Sequence, residues 1–141
     1  MKSRTSSNLW LIGASQMAKE YVKVLKALNI SFKVIGRGKN SAKVLESEMG
    51  IHVQTGGIEK ILQKEVAPEA AIVSVGIEQL SFVTTELLKA GTKKIMLEKP
   101  GGMNFEELHK LHLQAQSQQA KVWLAYNRRF YESTRKVQEI I

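Results

Sequence analysis

"NLWLIGASQMAKEYVKVLKAL", residues 8–28, decides the reading of the fold. An apolar run ends in Gly13, and helical spacing begins two residues later. Met17, Tyr21, Val24, Leu25 and Leu28 recur at spacings of four, three, one and three, which is one face of a helix. The turn between strand and helix is "GASQMA", residues 13–18, where a dinucleotide fingerprint G-x-G-x-x-G/A would stand. Gly13 supplies the tight turn, and Ala18 is small enough for close helix–strand packing. Ser15 replaces the middle glycine and puts a Cβ where backbone would approach a pyrophosphate. Its hydroxyl can instead bond a phosphate oxygen, beside the free N–H groups of Gln16 and Met17 at the helix start. The same turn also reads as a helix N-cap without a ligand.

Outward from this unit, strand-like and helix-like segments alternate. "SFKVIG" (31–36), "IHVQT" (51–55), "AAIVSVG" (70–76), "KKIML" (93–97) and "KVWLAY" (121–126) read as strands. "AAIVSVG" is apolar almost throughout, as a strand buried on both faces would be. "SAKVLESEMG" (41–50) reads as a helix with Ser41 as N-cap and Gly50 as its stop. Further helices are expected over "IEKILQKEV" (58–66), "QLSFVTTELLKAG" (79–91) and "NFEELHKLHLQAQSQQA" (104–120), the last capped by Asn104 with Glu107 three residues on. "ESTRKVQEII" (132–141) begins one more. This alternation predicts an α/β protein with a Rossmann-type, doubly wound parallel sheet and helices on both faces.

The end of the second strand bears on cofactor choice. NAD binders place an acid about 20 residues beyond the fingerprint, on the ribose 2′-hydroxyl. Here "VIGRGKNS" offers no acid; Arg37 and Lys39 follow the strand, and Ser41 adds a hydroxyl. A guanidinium pairs bidentately with a 2′-phosphate, so the expected cofactor is NADP, with NAD as the alternative. A basic turn in a basic protein is the plain reading of the same residues.

"LIGASQMAKEYVKVLKAL", "VIGRG", "IMLEKPGG" and "AYNRRFYEST" occur in this order and at fitting spacings. Together they resemble the N-terminal domain of the Gfo/Idh/MocA oxidoreductases, a family that includes glucose–fructose oxidoreductase and inositol dehydrogenase. The resemblance spans nearly the whole chain, and its most specific element is Glu98-Lys99-Pro100 after "IML". It implies that Lys99 lies near the nicotinamide and the substrate, as the catalytic cation. Glu98 would hold the ammonium, and Pro100 would fix the turn. A cation there favours a developing alkoxide and orients a sugar hydroxyl. A lysine serves as general base only when its pKa is strongly lowered. Asn127 and Arg128 in "YNRRFY" are expected at the cofactor or substrate, or, for the arginine, paired with acids of a further domain. Two departures stand out. The family's "TPNxxH"-like turn is "SVGIEQLS" here, leaving backbone contact through Gly76, and Glu132 stands where a proline is usual.

Composition narrows the function classes. The chain has 141 residues, 43% hydrophobic and 24% charged, with no cysteine. That excludes disulfides, thiolate metal sites and cysteine nucleophiles. The formal net charge of +8 favours an anionic partner, but the charges are scattered and not interleaved with aromatics, so no nucleic-acid partner is expected. No apolar run approaches a membrane span or a signal core, so no membrane partner and a cytoplasmic location are expected. His52, His109 and His112 form no metal-site pattern, so no metal is expected.

The expected division is a dinucleotide-binding domain over 1–131 and, over 132–141, the start of a helix leading to a further domain. The resemblance implies a C-terminal α/β substrate domain absent from this chain, supplied by more of the gene or by a partner chain; the other assembly expected is a homo-oligomer. The expected function is the cofactor domain of an oxidoreductase acting by hydride transfer on a sugar or sugar-derived alcohol, incomplete as a lone chain. The alternative is a non-catalytic nucleotide-binding or partner-binding module.

Overall fold

The computed structural model describes residues 8–141; residues 1–7, the start of the expected first domain, lie outside the described residues. Thirteen elements follow in order: β1 (Leu9–Ile12), α1 (Gln16–Ala27), β2 (Lys33–Ile35), α2 (Lys39–Met49), β3 (Val53–Gln54), α3 (Gly57–Leu62), β4 (Ala70–Val73), α4 (Ile77–Lys89), β5 (Lys94–Leu97), α5 (Phe105–Ser117), β6 (Lys121–Leu124), a 3₁₀ turn (Asn127–Phe130) and α6 (Glu132–Ile140). The strands pair in the order β3-β2-β1-β4-β5-β6, and every described pairing is parallel. The sheet is therefore Rossmann-type. Its order reverses between β1 and β4, where open α/β sheets leave a crevice at the strand ends.

Two apolar layers hold it. On one face, Trp10, Ile12, Ile35, Val73, Ile95 and Leu97 of the strands meet Ile58, Leu80, Leu87, Leu88 and Leu111 of α3, α4 and α5. On the other, Leu11, Val34, Val53 and Ile72 meet Ala18, Val22 and Leu25 of α1 and Ala42 and Leu45 of α2. Each fully buried Leu, Ile or Val contributes about 1.5–3 kcal/mol relative to exposure.

Several local expectations change. The core face of α1 is Ala18, Val22 and Leu25, while Met17, Val24 and Leu28 are exposed. Ala18 turns toward the sheet because only a small residue lets the helix approach β1 closely, and the residues four and seven on follow it inward. The helix α2 starts at Lys39 with Gly38 as N-cap; Ser41 lies inside it and donates its hydroxyl to the Gly38 carbonyl at 3.3 Å. The helix α3 stops at Leu62, and Val66, expected within it, is solvent-exposed with nothing to cover it. Asn104 caps α5 as expected, accepting from Glu107 N at 3.0 Å, while the Glu107 carboxylate reaches back to Met103 N at 2.7 Å.

The largest difference lies at β5 and β6. Along β5, Ile95 and Leu97 are buried while Lys94 and Met96 are exposed, so this strand has one buried face. Ile72, Met96 and Trp123 stand side by side across β4, β5 and β6. The helices α1 and α2 cover the first three strands of that face and β4, and leave Met96 at 41% and Trp123 at 46% exposure.

Candidate functional site

The cleft at the switch point follows directly from the β1–α1 turn. Gly13 has φ +126°, and a Cβ on it would stand 2.0 Å from the Ser74 carbonyl oxygen, so this position admits only glycine. That contact brings the ends of β1 and β4 together. Ser15 is the N-cap of α1: its hydroxyl accepts from Ala18 N at 3.4 Å and donates to the Ser74 carbonyl at 3.3 Å. Both bonds are long, so the hydroxyl is lightly held. The N–H groups of Gln16 and Met17 lie in the first turn, where no intrahelical carbonyl is in reach. Beneath them, the Ser74 hydroxyl is 2% exposed and has no hydrogen-bond partner. A buried unpaired hydroxyl costs free energy unless a ligand or water satisfies it.

The cleft has a volume of about 290 Å³. Gly13, Ser15, Arg37, Ser41 and Gly76 line it together, as expected, with Ile35, Ile58 and Val83 as apolar walls. Ser74, Ile58 and Gln79 are lining residues that sequence reasoning missed. Ser74 carried a signal, since a serine closing the apolar run "AAIV" is polar where burial is expected. Ile58 carried none, because its place depends on where α3 folds. Lys39 and Gln16 are exposed and do not line the cleft.

Arg37 has a partner that sequence reasoning did not supply. Its Nη2 donates to Glu59 Oε1 at 2.8 Å and Oε2 at 3.0 Å. Burial pushes the Glu59 carboxyl upward, but the Arg37 hydrogen bond and charge, with a backbone hydrogen bond, outweigh it and hold the carboxyl below its ordinary value.

One strand along, Glu98 N donates to the Val73 carbonyl at 3.0 Å, which sets "EKP" beside Ser74. Glu98 does not hold Lys99. Its carboxylate accepts a hydrogen bond from the Tyr21 hydroxyl of α1, and Lys99 is exposed and makes no ion pair among the described residues. The Tyr21 hydroxyl, reaching from α1 to the end of β5, occupies that carboxylate instead. Burial, then the Glu98 hydrogen bond and charge, raise the Tyr21 phenol well above the ordinary tyrosine range.

Beyond Tyr21 lies a second, larger groove of about 590 Å³. Met17, Val24, Met96, Trp123, Tyr126 and Phe130 make it apolar. Asn127 and Met17 belong to this groove and not to the cleft. Arg128 lines neither; its carbonyl accepts from the Thr134 hydroxyl at 2.9 Å and fastens the 3₁₀ turn to α6. No helix among the described residues is long and apolar enough to cross a membrane.

The donor set of the cleft fits a dinucleotide. It has an unpartnered buried hydroxyl, free helix N–H groups beside it and a guanidinium at the end of β2. Comparison with known proteins agrees. A family model described as an oxidoreductase family with an NAD-binding Rossmann fold, Gfo/Idh/MocA, matches residues 8–126. No curated protein matches the sequence. Among solved structures, GenD2 from gentamicin A biosynthesis, in complex with NAD, is 16% identical with a TM-score of 0.79, covering 94% of this chain and 38% of its own. The WlbA dehydrogenase of Bordetella pertussis, in complex with NADH and UDP-GlcNAcA, is 13% identical with a TM-score of 0.79, covering 93% and 41%. Biliverdin reductase of Synechocystis sp. PCC 6803, in complex with biliverdin and NADP+, is 12% identical with a TM-score of 0.76, covering 93% and 41%. At such identities the likeness is one of fold, and this chain spans about two fifths of the length of each. The match over residues 8–126 makes the chain a member of the Gfo/Idh/MocA family of NAD-binding Rossmann oxidoreductases.

Proposed function

We propose that this chain is the cofactor half of an oxidoreductase that prefers NADP over NAD and acts on a sugar or sugar-derived alcohol. The observation that carries it is the cleft at β1, β2 and β4, with an orphaned Ser74 hydroxyl inside and Arg37 at its mouth. Hydride transfer is the chemistry a nicotinamide cofactor supplies when bound. The chain's own residues bind and orient. Gly13, Ser15, Gln16 and Met17 receive the diphosphate at the start of α1, with Gly76 offering backbone contact across the cleft. Arg37, helped by Lys39 and Ser41, meets the 2′-phosphate.

Lys99 is the residue we assign to the reacting end. It is an exposed cation that makes no ion pair among the described residues, one strand from Ser74, and suited to orient a hydroxyl and favour negative charge on its oxygen. Glu98, held by Tyr21, sets the strand end from which Lys99 projects. Asn127 and Arg128 are assigned to the substrate side. The sugar reading draws on the UDP-GlcNAcA bound by the Bordetella enzyme and on the family resemblance; the biliverdin enzyme shares the fold with a different substrate. We place the domain boundary between residues 131 and 132. A non-catalytic nucleotide-binding role is the second reading, which rests on the same cleft. Titrating NADPH and NADH fluorescence against the chain tests the proposal: NADPH binding tighter than NADH supports it, and no binding of either at millimolar concentration rejects both readings.

A further inference from the structure

Arg37 is tethered, and the tether is built into the fold. The α3 start is fastened to the β2 turn by Gly57 N donating to the Gly36 carbonyl at 3.0 Å and Gly56 N to the Arg37 carbonyl at 3.2 Å. This holds Glu59, in the first turn of α3, opposite the guanidinium. Gly57 leaves room for the pair: a Cβ there would stand 2.8 Å from Glu59 Oε2 and 3.2 Å from Arg37 Cζ. Both Glu59 oxygens draw on the same nitrogen, Nη2, so the Nε and Nη1 donors of Arg37 take no part in the pair.

We infer that Glu59 is a specificity-determining residue that limits how strongly the cleft prefers a 2′-phosphorylated cofactor over its 2′-hydroxyl counterpart. This rests on the reading of Arg37 as the 2′-phosphate contact. The carboxylate neutralises the guanidinium that would meet a dianionic phosphate, so it opposes phosphate while leaving a 2′-hydroxyl unpenalised. The second strand lacks the acid that NAD binders carry there, and Glu59 brings one to the Arg37 guanidinium from α3. Its carboxyl is held in the charged form by Arg37, so the opposition is present at neutral pH.

The test is a set of NADPH and NADH dissociation constants for the full chain, for Glu59→Gln, for Arg37→Gln and for the double variant. Thermal melting confirms that each is folded. Glu59→Gln should tighten NADPH by roughly fivefold, near the upper end for a partly exposed ion pair, and leave NADH within about twofold. In the Arg37→Gln background the same change should act more weakly, because no cation is left to release. If Glu59→Gln leaves the NADPH-to-NADH ratio unchanged or lowers it, while Arg37→Gln shifts it, the inference about Glu59 fails and the NADP reading stands. If neither variant shifts the ratio, the NADP reading fails and takes this inference with it.

Discussion

The two ends of the sheet's carboxyl edge differ in kind. At β1, β2 and β4, a narrow cleft has apolar walls, an orphaned hydroxyl and an arginine held by a carboxylate. At β5 and β6, the groove is larger and apolar, with Phe130 at 63% exposure. Tyr21, which lines the groove, bonds Glu98 at the end of β5, one strand from Ser74. The contrast teaches that the cleft is enclosed by residues of β1, β2, β4 and their turns, whereas β5 and β6 leave one apolar face open.

The comparison can be broken by substitution. Gly13→Ala should have the largest effect on fold and binding together, since the new Cβ meets the Ser74 carbonyl at 2.0 Å in a backbone conformation alanine avoids. A loss of about 3 kcal/mol or more is expected in denaturant unfolding, with nucleotide binding lost. On β5, Leu97→Ala should cost about 2–5 kcal/mol, while its neighbour Met96→Ala, facing the open groove, should cost under about 1 kcal/mol. Equal losses would mean that the groove is covered. Arg37→Asp should weaken NADPH by about tenfold to a hundredfold and NADH far less, read by fluorescence titration.

Tyr21→Phe is a small change that probes the joint between α1 and β5. It should cost about 1 kcal/mol by removing the hydrogen bond to Glu98. The folded pKa of Tyr21 lies above its unfolded value near 10, so its contribution is whole below about pH 10 and fades as pH rises beyond. Wild type should therefore lose stability above about pH 10 more steeply than Tyr21→Phe. Parallel pH profiles for the two would contradict the assignment.

Much of this was legible because each piece of evidence was local. The doubly wound parallel sheet follows from alternation and right-handed crossovers, and Gly13 and Ala18 announce the tight turn by their size. What escaped depends on residues distant in sequence. Nothing in "VIGRG" reveals that Glu59, 22 residues on, reaches Arg37, or that Tyr21, 77 residues back, takes the Glu98 carboxylate. Of the apolar face Met17, Tyr21, Val24, Leu25 and Leu28, Leu25 enters the core, while Met17, Val24 and Leu28 are exposed. Periodicity shows that residues share a face and not what that face meets.

Hydrogen exchange on the full chain with and without saturating NADPH tests the central claim most directly. The account predicts slowed exchange at residues 13–18, 36–41 and 74–79, and little change at 121–130. Slowing centred on 121–130, or none at the β1–α1 turn, would contradict it.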